Sequence, residues 1–274
     1  MSVEPISLIN QFEELFQSKA SLYPVPSLEH LSDVAGKFAF IPYENLTKII
    51  RASKDLGTDA LLRKPAEVLN DFARYGAGGT CFSLTYCLMS LLEEYGYESA
   101  PRMADLGRQT NNHCALVTTI QGIEYLTDPG YLITQPLPLP ETGSIVHPTR
   151  LHPVRLETDP GKGGMNMMTL EPDGAKHRYH LRSQNCSMDS FMDFWRDSFS
   201  WNMMYSLLVT RVIENGRFYL HDRHARWFDR DGRKTAKVKE DFDLQVAEFS
   251  GIHVDIINRA RTELAKSKTS LKKG

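Results

Sequence analysis

The apolar positions fall into three regimes along the chain. Near the N-terminus, Ile9, Phe12, Leu15 and Phe16 recur at a spacing that puts them on one face of an α-helix. Ser27 stands where a helix running through Val34 needs an acceptor for its first free N–H groups. Pro65 suits the first turn of a helix through Phe72, because the N–H it lacks would have been unpaired there anyway. Gly76, Gly78 and Gly79 in YGAGGT then interrupt the pattern. Leu84, Leu88, Leu91 and Leu92 resume helical spacing until Gly96. These positions predict a buried helix that starts at Cys81 and carries Cys87 deeper inside.

The middle third changes period. Residues 114–120 and 124–127 read as short β runs joined at Gln121-Gly122. Residues 135–153 hold Pro136, Pro138, Pro140, Pro148 and Pro153, and 161–164 reads GKGG. Both are predicted as loops over a functional surface or a domain crossing. In the last third, LLVTRVIE and RFYLHD flank Asn215-Gly216, a type I′ hairpin signature. Asp231-Gly232 marks a second turn between RWFDR and RKTAKVK, and one helix is predicted over 241–266. The basic tail (Lys266, Lys268, Lys272, Lys273) reads as a frayed, solvated end. There is no internal repeat.

Composition narrows the class. The chain has 274 residues, 41% hydrophobic and 24% charged, which excludes a disordered or fibrous protein and fits two or three subdomains around a buried interior. Lys+Arg is 32 against 34 Asp+Glu, a net charge of −2, so no basic excess points to nucleic acid. The N-terminus carries Glu4, Glu13 and Glu14 and lacks the features of a signal peptide, and no apolar run is long enough to span a bilayer. The expectation is a cytoplasmic protein with no membrane partner. Cys81, Cys87, Cys114 and Cys186 form no CxxC pair, so neither a zinc site nor a disulfide scaffold is expected. His221 and His224 in HDRH read as turn residues and not as metal ligands, and no Walker-type phosphate loop is present.

Chemistry concentrates at Cys81. A helix start offers free N–H groups and partial positive charge, which favour a thiolate and are suited to holding an oxyanion. His113 opens the first β run and Asp128 closes the second. If the two runs pair, the carboxylate lies near the imidazole and can orient it. Two readings stand for each residue. Cys81 is a nucleophile or a small core residue, and Asp128, before Pro129-Gly130, is an orienting group or a turn former. Cys114 is expected to point to the opposite strand face and to pack inside the barrel. Met165, Met167, Met168, Met203 and Met204 suggest an adaptable apolar wall, and Glu44 and Asn45 serve a loop, a cap or a site.

Four segments carry a resemblance. IPYENL (41–46), GGTCF (78–82) before an apolar helix, NHCALV (112–117) and EYLTDPGY (124–131) are similar, in order and spacing, to segments of the arylamine N-acetyltransferase family. DSFMDFWRDSFS (189–200) and the hairpin after it extend the likeness over nearly the whole chain. The resemblance implies an α+β fold: an N-terminal helical bundle (1–95) with the nucleophile, a central β-barrel (96–195) with the His and Asp, and a C-terminal α/β lid (196–274), around a papain-like cysteine acyltransferase core. It implies ping-pong acyl transfer from acetyl-CoA, or another acyl-CoA, as co-substrate to an arylamine or hydrazine acceptor. Cys81, His113 and Asp128 would be catalytic, Tyr43 and Tyr131 would wall the substrate pocket, and no metal or bound cofactor is implied. A thiol amide synthase or hydrolase, or an inactive binding relative, are the alternatives.

The chain also departs from the family pattern. Ala77 stands for Arg, Ser83 for Glu, Thr85 for Asn, Pro129 for a small apolar residue and Leu132 for a glycine, while WNMMYS (201–206) lacks the family's S-x-x-P-x-S-x-F. Ala77 and Ser83 are expected to mark one lost ion pair, since losing both partners of a buried pair is far milder than losing one. The oligomeric state is not legible.

Overall fold

The computed structural model describes residues 7–18, 22–54, 57–214, 216–229 and 232–271. The periodic N-terminal segments form α1 (Leu8–Phe16), α2 (Leu28–Phe38), α3 (Leu46–Ala52), α4 (Thr58–Leu61), α5 (Pro65–Tyr75) and α6 (Cys81–Glu94). Ser27 does cap α2, accepting from the His30 N–H, and Pro65 does open α5. The helix after Ser27 runs past Val34 to Phe38. Phe12, Leu31, Leu69, Leu84, Leu88 and Leu91 share one core around α6. Burial of each such side chain contributes about 1.5–3 kcal/mol.

β2 (Glu98–Asp105), β3 (His113–Ile120), β4 (Ile123–Thr127), β5 (Leu137–Pro138), β6 (Ser144–His147), β7 (Val154–Thr158), β8 (Met165–Glu171) and β9 (Gly174–Leu181) make one antiparallel sheet in the order β5-β4-β3-β2-β9-β8-β7-β6. It curls into a near-closed barrel, and Leu137 and Leu156 from opposite ends of that order meet in one apolar core. The proline-rich segment therefore supplies the short strands β5 and β6, and GKGG is the turn between β7 and β8. Pro138 lies in an edge strand, where its missing N–H does not interrupt a ladder.

After α7 (Met188–Asp197) come β10 (Leu208–Ile213), β11 (Gly216–His221), β12 (His224–Phe228) and β13 (Arg233–Lys237), then α8 (Phe242–Ser250) and α9 (Val254–Leu271). β1 (Tyr43–Glu44) joins this second sheet, which runs β1-β10-β11-β12-β13. The predicted strands pair, with Gly216 already in β11 opposite Ile213; Asn215 and Asp231 lie outside the described residues, as do Lys272 and Lys273. The single helix expected over 241–266 is two. Gly251 takes a left-handed backbone, φ +65°, and ends α8. Its N–H satisfies the Ala247 carbonyl, as helix ends require.

Candidate active site

Two glycines fix where α6 starts. Gly79 bonds to both neighbours of Tyr43: its N–H donates to Pro42 and its carbonyl accepts from Glu44. At Gly78 the approach is so close that an added Cβ would collide with the Pro42 carbonyl. The YGAGGT turn is thus stitched to IPYENL, and Cys81 becomes the first residue of α6. Thr80, at the cap position, makes no side-chain capping bond, which leaves first-turn N–H groups available.

The β3–β4 ladder brings up the partners. Leu116 pairs with Thr127, and the same register carried to the strand ends places His113 beside 128–130. His113 Nε2 lies 2.9 Å from Asp128 Oδ2, which leaves Nδ1 for the Cys81 sulfur. Asp128 accepts a second bond, from the Tyr131 N–H at 2.9 Å, so the carboxylate is held on two sides. Gly130 sits among all three side chains. A Cβ there would come within 2.8 Å of Cys81 Cβ, 2.9 Å of His113 Cε1 and 3.3 Å of Asp128 Oδ1. The imidazole also packs against Tyr131 and Tyr179, with ring centroids 5.4 and 4.8 Å away.

The electrostatics favour an ion pair. A hydrogen bond from the Cys114 thiol holds the Cys81 thiol well below its usual range, with His113 and Lys48 reinforcing it against burial. Burial works against the imidazolium, but the charge and hydrogen bond of Asp128, then Cys81, lift His113 to about 10. The lowered thiol and the raised imidazole together favour thiolate and imidazolium at the site.

Four further residues contribute to the site, three of them with no role assigned from the sequence and one placed elsewhere. Gly130 is one. Cys114 is a second. It does point away from His113 along β3, but it packs with Cys81, Phe82 and Trp195 and not in the barrel core, because α6 covers that face of the sheet. Lys48 is the third. It is buried on α3, donates to the carbonyl and hydroxyl of Ser198, and lies 4.5 Å from the Phe199 ring centroid. Burial brings its ammonium down to about 7 despite the opposing charge of Cys81. Its one sequence signal is a lysine inside the apolar stretch LTKII.

Arg63 is the fourth. Its guanidinium is buried, donates to the Gly78 carbonyl and to Asp71, and holds Thr47, which in turn donates to Glu44. This answers the departures at 77 and 83. Ala77 packs in the apolar core of the C-terminal sheet, and Ser83 turns its hydroxyl to the Thr80 carbonyl. The two positions do not mark one vacated pair; a buried cation still braces the glycine turn, delivered from residue 63. Asn45 holds the altered 201–206 segment in place, donating to the carbonyls of Met203 and Ser206 and accepting from the N–H of Leu208.

Cys81 and His113 open into a cavity of about 480 Å³ between the barrel and the second sheet. Tyr43 and Tyr131 line it, as does Met167. Met165 stays in the barrel core, and Met168 accepts from Arg155. His221 and His224 face each other, exposed, across β11 and β12, and among the described residues no group of side chains is arranged to hold a metal.

The sequence profile of the N-acetyltransferase family matches residues 27–258. The chain belongs to the arylamine N-acetyltransferase family. Among solved structures, arylamine N-acetyltransferases from Mycobacterium marinum and Mycobacterium abscessus superpose with TM-scores of 0.78 and 0.79. The first is 20% identical and covers 94% of this chain and 98% of its own; the second is 17% identical and covers 94% of each. A Bacillus cereus arylamine N-acetyltransferase, described as having a unique Cys-His-Glu catalytic triad, superposes at 0.72 with 15% identity over 91% and 100%. No curated protein sequence matches the chain. At these identities the superpositions establish the arylamine N-acetyltransferase fold. Among the described residues, no helix is long and apolar enough to cross a membrane.

Proposed function

We propose that the protein is an acyl-CoA-dependent N-acyltransferase working through a Cys81 acyl-thioester, with an arylamine or hydrazine as acceptor. The observation that carries this reading is the buried Cys81–His113–Asp128 array opening onto a cavity of about 480 Å³. A Mycobacterium marinum relative solved in complex with CoA supports the choice of donor.

The Cys81 thiolate attacks the thioester carbonyl of acyl-CoA, forming a new S–C bond. The first-turn N–H groups of α6 would stabilise the developing oxyanion. Collapse breaks the bond to the CoA sulfur, and the His113 imidazolium protonates that leaving thiolate. Acylation removes the Cys81 charge that helped hold the imidazolium, so the His113 pKa falls as the ring becomes neutral. The neutral ring then takes a proton from the amine as nitrogen attacks the acyl carbon. The Cys81 S–C bond breaks, and amide, thiolate and imidazolium result. Asp128 orients the ring throughout and offsets its charge.

Intact-protein mass spectrometry after mixing with acetyl-CoA tests this. One acetyl adduct, absent from Cys81→Ala, is the expected result. No adduct with any acyl-CoA, from a protein whose Cys81 still alkylates readily, would refute the donor.

A further inference from the structure

Two thiols meet behind the nucleophile. Cys114 follows His113 on β3, and alternation along the strand turns its side chain to the other face of the sheet, which α6 covers. There it joins the cluster of Cys81, Phe82, Met103, Phe191 and Trp195. Its sulfur is a hydrogen-bond neighbour of Cys81 Sγ and lies 3.6 Å from Thr85 Oγ1. Cys81 and Thr85 are one turn apart on α6, so the Cys114 thiol sits over the first turn of that helix. The Thr85 hydroxyl also approaches the Cys114 carbonyl, at 3.5 Å, which fixes β3 against the helix at this point. Cys81 lines the cavity, whereas Cys114 is fully buried on the far side of it. Acyl transfer through Cys81, His113 and Asp128 leaves the Cys114 thiol chemically unchanged.

The two thiols differ in character. Cys81 is held towards thiolate, while burial, then the hydrogen bond to Cys81 and its charge, push the Cys114 thiol well up. Peroxides react with thiolates, so a peroxide entering the cavity oxidises Cys81 and spares Cys114. The Cys81 sulfur attacks one peroxide oxygen and the O–O bond breaks. The leaving oxygen departs as water or alcohol with a proton from the His113 imidazolium. Cys81 is then a sulfenic acid, oxidised by two electrons. The same step removes the thiolate charge that kept Cys114 protonated, so the second thiol ionises more easily. Both sulfurs act on the Lys48 charge, and its ammonium in turn favours an anion at either one. The Cys114 sulfur next attacks the Cys81 sulfur. The S–O bond breaks, the hydroxide leaves as water with the Cys114 proton, and an S–S bond forms.

We infer that Cys81 and Cys114 form a peroxide-sensitive dithiol switch, in which Cys81 takes the oxidation, Cys114 captures it as a buried disulfide, and an external dithiol restores the nucleophile. The switch goes beyond the acyltransferase reading and needs from it only the activated Cys81 thiolate. Closing the sulfurs from contact to the roughly 2.05 Å of a disulfide takes a movement of about 1–2 Å. Cys81 stands at the first residue of α6, where the helix is bonded on one side only, and Met103 beside it is a side chain that refills gaps. Cys87 does not compete, since it faces the Pro65 carbonyl in a different core. The capture makes oxidation reversible. A sulfenic acid left alone proceeds to sulfinic and sulfonic acids, which a dithiol does not reduce.

The test treats the reduced full-length protein with hydrogen peroxide, blocks the remaining thiols with N-ethylmaleimide after unfolding, and maps peptides without reduction. The wild type should lose two hydrogens and yield a peptide linked through Cys81 and Cys114, with Cys87 and Cys186 alkylated. Dithiothreitol should then restore nearly all of the original Cys81 alkylation rate. In Cys114→Ser, with melting curves to confirm folding, the same dose should carry Cys81 to sulfinic and sulfonic acid. The alkylation rate recovered with dithiothreitol should then be about tenfold lower than in the wild type. Each protein is normalised to its own rate before peroxide, so a shifted thiol pKa does not enter the recovery. Peptide mapping of the wild type decides the matter even if Cys114→Ser does not fold. A wild-type Cys81 sulfenic acid trapped by dimedone with no disulfide would overturn the inference. So would a disulfide to Cys186 or between two molecules, equal recovery in both proteins, or a Cys81 that peroxide leaves untouched. The disulfide needs no acyl donor, so its formation without any acetyl adduct would sink the acyltransferase reading and leave the switch standing, and an adduct without the disulfide would do the reverse.

Discussion

Helix α6 carries two buried thiols, Cys81 at its first residue and Cys87 less than two turns further on. Both are small apolar-looking residues in a leucine-rich segment. Cys87 meets the Pro65 carbonyl and the core of α1, α2 and α5, where burial pushes its thiol up to about 12. Cys81 is as deeply buried, yet its thiol is driven the other way. Burial alone therefore does not set thiol chemistry here. What differs is convergence: a hydrogen bond from Cys114, the imidazolium held by Asp128, and the Lys48 ammonium all meet at the glycine-turn end of the helix. Around Cys87 burial among apolar side chains dominates, and the charge of Arg63 is too weak to offset it.

Removing the groups that separate the two thiols should pull them together, in a graded way. Asp128→Asn keeps the shape but removes the charge that lifts His113 towards 10. The His113 pKa should fall, the ion pair should be lost at neutral pH, and the rate of adduct formation should drop about 10²- to 10⁴-fold. Stopped-time mass spectrometry reads this. Gly130→Ala inserts a methyl group 2.8 Å from Cys81 Cβ and 2.9 Å from His113 Cε1. Forcing the pair apart should slow the same reaction about ten- to hundredfold. A wild-type rate in Gly130→Ala would contradict the packing described. Lys48→Met removes one of the two cations facing the thiolate. The Cys81 pKa should rise, moving the alkylation-rate profile to higher pH by about one unit at most. An unmoved profile would mean that Lys48 serves the Ser198–Trp201 segment alone.

Much of this arrangement was legible in the residues. The glycine run followed by an apolar helix placed Cys81 at a helix start, because glycine and periodicity are local signals. The two β runs around Gln121-Gly122 placed His113 near Asp128, because a short antiparallel ladder fixes what lies across it. Lys48 and Arg63 escaped for the opposite reason, and Cys114, though next to His113, reads as a barrel residue because the helix that covers its face is not a local signal. Lys48 and Arg63 reach the site from segments remote from Cys81 in sequence, and apart from a lysine inside LTKII nothing within a short window marks them. Arg63 shows the limit most clearly. The motif position at Ala77 reads as a lost arginine, while the structure braces the same turn with a guanidinium from the loop before α5. The break at Gly251 escaped too, since apolar spacing continues across it and only the left-handed backbone reveals the end of α8.

The most direct measurement is the pH dependence of alkylation at each thiol, with a small iodoacetamide reagent and peptide mapping. The account predicts that Cys81 reacts quickly well below the ordinary thiol pKa of about 8.5 and keeps doing so down to mildly acidic pH. Cys87 should react only once the protein is unfolded. A Cys81 rate that rises through the ordinary thiol range, or one no faster than Cys87 in the native protein, would contradict the claim that this end of α6 makes an activated thiolate.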